Sequence, residues 1–200
     1  AAAAIYLTEG ELEHLFKLDL SDNERLDRVR DLFLIGCYTG LRFSDFSRLK
    51  RHNFTSYDGQ RIIEITTQKT KKKVAIPIHD NIPIIMKKYG GELPKAISNQ
   101  RMNQYLKEIG QLAGFTEIIK KTMLRGIKRE TELLPKYQLI STHTARRTFA
   151  TNAVLAGIPN HQIMEITGHS KESTFLKYVR ITKKEIASKL SNHHFFSGNK

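Results

Sequence analysis

One helix in the last third of the chain must combine polar, titratable side chains with an apolar stripe, which strongly restricts the available folds. The helical pattern from about residue 141 places His143 and Arg146 three positions apart, so both are expected on the same side. Gly157 and Pro159 end the pattern. The opposite face carries small and apolar side chains: Ala145, Phe149, Ala153 and Ala156. The sequence therefore predicts a helix packed on a core that presents His143 and Arg146 to a polar site.

More polar residues follow within a short length of chain. A brief apolar run over 163–166 leads into the turn-like Gly168-His169-Ser170, and Tyr178 lies nine residues after His169. A core helix has no need of such side chains. A phosphodiester site does need them, because cations bind the negative oxygens, imidazoles move protons and a hydroxyl acts as nucleophile. The stretch from 141 to 178 is therefore the candidate site for phosphoryl transfer.

The chain is strongly basic. Its 200 residues include 33 Lys and Arg against 20 Asp and Glu, a formal net charge of +13. This excess favours a polyanionic partner, most simply nucleic acid, although a merely basic soluble protein would also show it. No apolar run is long enough to span a bilayer and no signal peptide is evident, so no membrane partner is expected. The single cysteine, Cys37, cannot form an intrachain disulfide, which fits a reducing cytoplasm.

Hydrophobic periodicity predicts a mainly α fold with a small antiparallel β-sheet. Besides the helix from residue 141, helices are predicted over 8–17, 24–38, 81–89, 98–112 and 183–190, with another that ends at residue 49. Residues 61–67 and 74–78 are rich in β-branched side chains and are expected to pair as a hairpin. Short β-prone pieces on either side of Arg125-Gly126 indicate a second small hairpin.

Two further groups of charged residues lie beside these elements. Arg42 follows the Gly40 turn at the head of a helix, where Asp45 is expected to reach back and hold its guanidinium. A surface arginine that caps a helix pair is the plainer interpretation. The tip of the first hairpin carries four lysines that repel one another unless an anion faces them: Lys69, Lys71, Lys72 and Lys73. This tip either touches a phosphate backbone or is a solvated loop that discourages edge pairing.

The order of these signals resembles the tyrosine recombinase, or phage-type integrase, family. The matching motifs are TGLRFSD, QKTKKKVAIP, HTARRTFAT, and GHS followed by TFLKYVRIT. The resemblance covers roughly residues 7–190. Within the family, the motifs look most like those of integrases from mobile elements of Bacteroides-type bacteria. It is specific because four separated motifs agree in order, in residue type and in the step from His169 to Tyr178.

The resemblance implies a role for each candidate residue. Tyr178 resembles the nucleophile, and Arg42 and Arg146 resemble the pair that clamps the scissile phosphate. His143 resembles the histidine beside that clamp, and His169 resembles the second histidine that contacts a phosphate oxygen. Lys69 resembles the general acid, although the neighbouring hairpin lysines remain alternatives for this role. Asp45 is expected to hold the guanidinium of Arg42 in place. Four further residues are expected to contact the DNA: Lys71, Lys72, Lys73 and Arg147.

The resemblance also implies the organisation and partners of the protein. Residues 5–190 are expected to be a tyrosine recombinase catalytic domain and 191–200 a C-terminal tail, with the N-terminal DNA-binding domain of full-length members absent from this chain. The expected chemistry is metal-free and needs no cofactor. Double-stranded DNA is the expected partner, bound by a homo-tetramer on paired sites, although a fragment of this kind is also compatible with a monomer.

Two other functions share parts of this pattern. A type IB topoisomerase uses similar Tyr, Arg, Lys and His chemistry, and would relax supercoiled DNA as a monomer without sequence preference. A non-catalytic DNA-binding module would keep the fold, but pure binding has no use for a nucleophile. The full set of candidate residues therefore favours a site-specific recombinase that integrates or excises a mobile element through a covalent 3′-phosphotyrosine link.

Overall fold

The computed structural model describes residues 4–125 and 128–197, which fold as a mainly helical structure with two small antiparallel sheets. The helices are α1 (Glu9–Lys17), α2 (Glu24–Thr39), α3 (Phe43–Phe46), α4 (Asn81–Lys88), α5 (Asn99–Leu112), α6 (Thr142–Leu155), α7 (Asn160–Thr167), α8 (Glu172–Phe175), α9 (Lys183–Ser191) and α10 (His194–Ser197). The strands are β1 (Phe54–Tyr57), β2 (Gln60–Thr66), β3 (Lys73–Pro77), β4 (Ile118–Arg125) and β5 (Lys128–Pro135). The predicted fold class is confirmed.

Helix α2 is the centre of the core. The side chain of Asn23 caps its first turn, and Gly40 ends it in the left-handed conformation that glycine adopts without a steric cost. Most of its residues are buried on every side, so it is surrounded by other elements rather than lying at the surface. Helices α1, α4, α5 and α6 pack around it.

Helix α6 lies unusually close to α2 at Gly36 and Gly40. A Cβ atom at Gly36 would come within 2.7 Å of the Phe46 ring and 3.1 Å of the Ala145 Cβ. A Cβ atom at Gly40 would come within 2.4 Å of the Phe149 ring. These glycines therefore let the helix that carries His143 and Arg146 sit directly on the turn that leads to Arg42.

The first sheet has the strand order β1-β2-β3. Its central pair has Ile63 opposite Ile76 and Ile65 opposite Val74, and these four side chains are buried while alternate residues face solvent. Strand β1 was not predicted, because its four residues are too few and too polar to show a clear alternation of apolar and polar side chains. The antiparallel β2–β3 hairpin was predicted and is confirmed.

The second hairpin is longer than its short β-prone pieces suggested. Strands β4 and β5 pair along their whole length, from Ile118 opposite Pro135 to Arg125 opposite Lys128. Part of the predicted turn at Arg125-Gly126 lies outside the described residues. The hairpin follows α5 and leads through a short 3-10 turn into α6, so it does not interrupt the helical core.

The predicted helix that ends at residue 49 is shorter in the structure. Helix α3 stops at Phe46, and the bonds that follow are of the tighter i to i+3 type, from Arg48 N to Asp45 O and from Leu49 N to Phe46 O. This tightening turns the chain towards β1. In the part of the chain that the structure describes, no helix is long and apolar enough to cross a membrane.

Candidate active site

Arg146 is at the centre of the candidate site. Its guanidinium donates from Nη1 to the Gly40 carbonyl (2.8 Å) and from Nη2 to the Thr167 carbonyl (2.7 Å). Nη2 also lies 3.0 Å from Nε2 of His169. The arginine therefore joins the ends of α2 and α7 and holds the histidine that follows α7. Only 1% of its surface is exposed, so this arginine is buried among its partners rather than open to solvent.

His169 is held in one tautomer by its neighbours. The Thr167 hydroxyl donates to the carbonyl of Ile163 (2.9 Å) and lies 2.8 Å from Nδ1 of His169. With its hydrogen on the Ile163 carbonyl, the hydroxyl oxygen accepts from Nδ1–H of His169, which is closer to Thr167 than to Arg146 Nη2 at 3.3 Å. Nε2 then carries the lone pair that accepts from Arg146, so the imidazole is neutral.

Electrostatics supports this neutral state. Burial and the nearby charges of Arg146, Arg42 and Lys72 lower the pKa of His169 to about 3. The pKa of Arg146 is itself lowered to about 10, first by burial and then by Arg42. The site is thus a concentration of positive charge with little negative charge to balance it, which is a suitable environment for an anion.

We expect His169 to stay neutral as the pH falls from 8 to 5. Its folded pKa lies below the ordinary histidine value, so the unfolded chain takes up this proton first and the folded state loses stability as the pH drops below about 6.5. NMR of ¹³C-labelled histidines measures this directly, and His169→Asn identifies the resonance. A His169 signal that titrates above pH 6 would contradict the assigned contacts.

Tyr178 lies on the rim of the same cluster. Its ring centroid is 5.0 Å from that of His169, and the Arg146 Cζ atom is 5.2 Å from the tyrosine centroid. Two contacts fix its backbone: Tyr178 N donates to Phe175 O (2.8 Å), and Thr151 Oγ1 contacts Tyr178 O (3.5 Å). Since Phe175 is fully buried, it anchors the segment that carries the tyrosine.

Arg42 contributes the second guanidinium. It precedes α3, is half-buried, and its Nη1 atom is shielded from solvent without a hydrogen-bond acceptor among the described residues. Such a nitrogen carries an uncompensated desolvation cost that an incoming anion would relieve. The interpretation of Asp45 as the partner of this guanidinium is wrong, because its carboxylate accepts hydrogen bonds from Arg48 and the backbone of Gln68 instead.

His143 begins the exposed edge of α6. Partial loss of hydration lowers its pKa even though the side chain is exposed, and nearby cations lower it further: Arg147, Arg42, Arg146 and Lys69. A histidine with a lowered pKa is neutral at physiological pH and is able to accept a proton. The structure thus places His143 beside the two arginines rather than in the packed core.

The β2–β3 loop lies against the other side of the site. Lys69 lies in the turn after β2 and is exposed. Gly168 adopts a left-handed conformation, and a Cβ there would lie 3.5 Å from Val74 and 3.6 Å from the Thr70 hydroxyl. This packing joins the hairpin to the residue before His169.

The remaining predicted DNA contacts are less uniform. Lys71 and Lys72 are exposed on the loop, whereas Lys73 pairs with Glu64 at 3.0 Å. Arg147 is half-buried beside Arg180, and burial followed by this neighbouring charge lowers its pKa. Within the described residues, no three His, Cys, Asp or Glu side chains lie close enough together to hold a metal ion.

Sequence reasoning missed three supporting side chains. Thr167 orients His169, Thr151 holds the backbone around Tyr178, and Arg48 contacts the loop that precedes Lys69. Neither threonine could be identified from the sequence, because a threonine two residues before a histidine or within a helix belongs to no recognisable motif. Arg48 could have been found, because it lies three residues after Asp45, a spacing that favours an ion pair on a helix.

The fold is that of catalytic domains of DNA recombinases and integrases. A crystal structure of XerA recombinase superposes over 94% of this chain and 65% of its own, with a TM-score of 0.64 at 19% identity. The catalytic domain of bacteriophage HP1 integrase is matched over 98% of both chains, with a TM-score of 0.56 at 22% identity.

The chain belongs to the phage integrase family, whose family model matches residues 6–185. A tyrosine recombinase of Pseudothermotoga lettingae is 24% identical over 182 residues, which is 90% of this chain and 57% of that protein. Tyrosine recombinase XerA of Pyrococcus furiosus is 27% identical over 195 residues, 90% of this chain and 58% of the relative. The chain therefore spans a little over half the length of these relatives.

Proposed function

We propose that residues 5–190 form the catalytic domain of a site-specific DNA recombinase that cuts and rejoins strands through a 3′-phosphotyrosine intermediate. The observation that carries this proposal is the contact of Arg146 with His169 beneath the ring of Tyr178, with Arg42 adjacent. Membership of the phage integrase family favours this function over a type IB topoisomerase. Such a protein acts where the DNA is, so we place it in the cytoplasm.

The arginines bind the scissile phosphate in this proposal. Arg42 and Arg146 contact its two non-bridging oxygens, and each guanidinium offers two parallel donors. Negative charge grows on these oxygens as the phosphorus gains a fifth ligand, so donors fixed in advance stabilise the transition state more than the ground state. His169 continues to accept from Arg146 through Nε2 in this tautomer, so its part in the proposal is to orient the arginine beside the phosphate.

The covalent step exchanges one phosphate ester for another. The Tyr178 oxygen attacks phosphorus and forms a P–O bond, while the bond from phosphorus to the 5′ oxygen breaks. His143, which the surrounding cations keep neutral, accepts the phenol proton. Lys69 gives a proton to the departing 5′ oxygen. The products are a 3′-phosphotyrosine and a free 5′ hydroxyl, and attack by a different 5′ hydroxyl completes recombination by the reverse route.

Trapping the covalent intermediate tests this proposal. A pool of duplexes with random cores and a nick next to the cleavage position lets a short 5′ fragment diffuse away after attack, so the adduct accumulates. We expect an SDS-resistant band whose captured DNA shares a sequence motif and keeps a free 5′ hydroxyl at the cut. Capture without any sequence motif, together with relaxation of any supercoiled plasmid, would support a topoisomerase instead.

We predict that sulfur at the bridging 5′ position rescues the loss of Lys69. A thiolate is a much better leaving group than an alkoxide and needs no proton, so Lys69→Ala should slow cleavage of the oxygen substrate by about 100-fold or more but cut the sulfur substrate almost normally. Single-turnover adduct formation on both substrates measures this. If the sulfur substrate instead rescues Lys71→Ala, Lys72→Ala or Lys73→Ala, the lysine replaced in that variant is the general acid.

We further propose that the protein acts as a homo-tetramer on paired DNA sites, with α9 docking on a neighbouring copy. In this chain α9 contacts its own domain through the Tyr6–Glu185 bond and through Lys189 Nζ to Val154 O (3.0 Å). No residue of α9 is buried, and Ile186 and Leu190 are exposed on its apolar side. A short helix with an uncovered apolar side needs a surface to dock on.

Deleting 183–200 should therefore reduce cooperative assembly on two-site DNA and change the rate of single-site cleavage. Gel-shift titration and adduct formation measure these two quantities. Tyr6→Phe is the matched control, because it removes one of the two contacts of α9 with its own domain but keeps the helix, and it should preserve assembly. Unchanged assembly and cleavage after the deletion would exclude α9 as the coupling element.

A further inference from the structure

We propose that Arg48 is a positioning residue for Lys69, holding the loop that presents the lysine to the DNA. This inference rests on the proposed strand-cleavage function. Arg48 lies two residues after α3 and is separated from Lys69 by strands β1 and β2, so nothing in the sequence joins them. The structure brings them together through the stem of the β2–β3 loop.

Two hydrogen bonds fix the backbone on both sides of Thr67. Arg48 Nη2 donates to the Thr66 carbonyl, and the Asp45 carboxylate accepts from Gln68 N (2.8 Å). The same arginine nitrogen lies 3.2 Å from Asp45 Oδ1, so the two anchors are themselves joined. Lys69 is the next residue after Gln68, and its Cα position is set by these contacts.

The loop beyond this stem is closed on itself. Thr67 N donates to Lys72 O (2.9 Å), Lys71 N donates to Thr67 O (3.0 Å), and the hydroxyls of Thr67 and Thr70 are 2.7 Å apart. The turn therefore moves as a unit, and its direction is decided at the stem. In the part of the chain that the structure describes, the Lys69 ammonium has no hydrogen-bond partner that would hold it in place.

Arg48 is suited to this role by its chemistry and position. Asp45 is fully buried, and burial of a carboxyl group is costly unless a cation and hydrogen bonds compensate it. Arg48 supplies both, while the planar guanidinium also reaches the Thr66 carbonyl. A lysine would offer its nitrogen at the end of a flexible stem instead of in a rigid planar group, so it would hold these two contacts less firmly. About a third of the Arg48 side chain is exposed (37%), which leaves direct DNA contact as the competing role.

The test compares cleavage of matched oxygen and sulfur substrates that carry the captured sequence. We expect Arg48→Ala to slow adduct formation on the 5′-oxygen DNA by about 100-fold, the effect of misplacing a catalytic group by roughly 1 Å. On the 5′-sulfur DNA it should react nearly as fast as the unmodified protein. The Arg48→Ala/Lys69→Ala double variant should be no slower than Lys69→Ala alone, because both changes remove the same proton donation.

Arg51→Ala is the matched control. Arg51 is an exposed cation three residues away on the same segment, and its loss should leave the rates on both substrates unchanged. Should Arg48→Ala fail to fold, Arg48→Lys keeps a charge beside Asp45. It should show a smaller loss on oxygen DNA and the same recovery on sulfur DNA.

Three results would overturn the positioning role. Equal slowing on both substrates would mean that Arg48 acts on a step other than leaving-group protonation. A weaker DNA affinity with unchanged saturated rates would make it a DNA contact. A double variant much slower than Lys69→Ala would show an independent role. All three differ from failure of the proposed function itself, in which the unmodified protein forms no adduct on either substrate.

Discussion

Replacing Tyr178 with phenylalanine should abolish the covalent protein–DNA adduct while leaving fold and DNA affinity nearly unchanged. The ring packs beside His169 and Arg146, and phenylalanine keeps that ring. Only the hydroxyl is lost, and no other atom of the side chain can attack phosphorus. Thermal unfolding and DNA binding should therefore match the unmodified protein, whereas denaturing gels should show no adduct.

Tyr57→Phe is the control for this substitution. Tyr57 lies at the end of β1 and is 76% exposed, so its side chain is mostly in solvent. Its variant should form the adduct at the normal rate. An adduct that persists in Tyr178→Phe would show that another side chain is the nucleophile.

Replacing Arg146 with lysine should slow strand cleavage by about 10²–10³-fold, the usual loss when a fixed donor to a developing oxyanion is removed. A single ammonium cannot bind Gly40 O, Thr167 O and a phosphate oxygen together. The buried carbonyls left without donors should also lower the free energy of unfolding by about 1–3 kcal/mol. Adduct kinetics at saturating DNA and urea unfolding measure the two effects separately.

Arg42→Lys separates the chemical role from the structural one. Arg42 has no hydrogen bond from its buried Nη1 within the described chain, so its replacement should slow cleavage with a smaller loss of stability. If both arginine variants weaken DNA binding by as much as they slow cleavage, the two residues only bind DNA. If neither slows cleavage, the phosphate lies elsewhere.

Much of the fold was predictable because its signals are local. The turn at Gly40 and the β-branched runs of β2 and β3 depend on a few neighbouring residues, and the structure confirms the elements they predict. Strand β1 escaped detection because it is short and depends on pairing with β2. The extent of the second hairpin also depends on cross-strand contacts that no local pattern reveals.

The candidate site was less predictable, since its geometry depends on contacts between distant parts of the chain. Residue types and order identified the candidate arginines, histidines and tyrosine. The burial of Arg146 could not be foreseen, because its partners Gly40 O and Thr167 O are backbone atoms 106 and 21 residues away. Asp45 was placed with the wrong arginine because Arg42 and Arg48 both lie three residues from it, and only the structure shows that Arg48 also reaches the Thr66 carbonyl at the end of β2.

The central claim is that Tyr178 becomes covalently joined to a DNA 3′ phosphate. Mass spectrometry of the trapped adduct, digested with nuclease and protease, tests it most directly. The account predicts a nucleotide attached through phosphate to the peptide that contains Tyr178, with a free 5′ hydroxyl on the released strand. A nucleotide on any other residue, or a 5′-phosphate link to the protein, would contradict it.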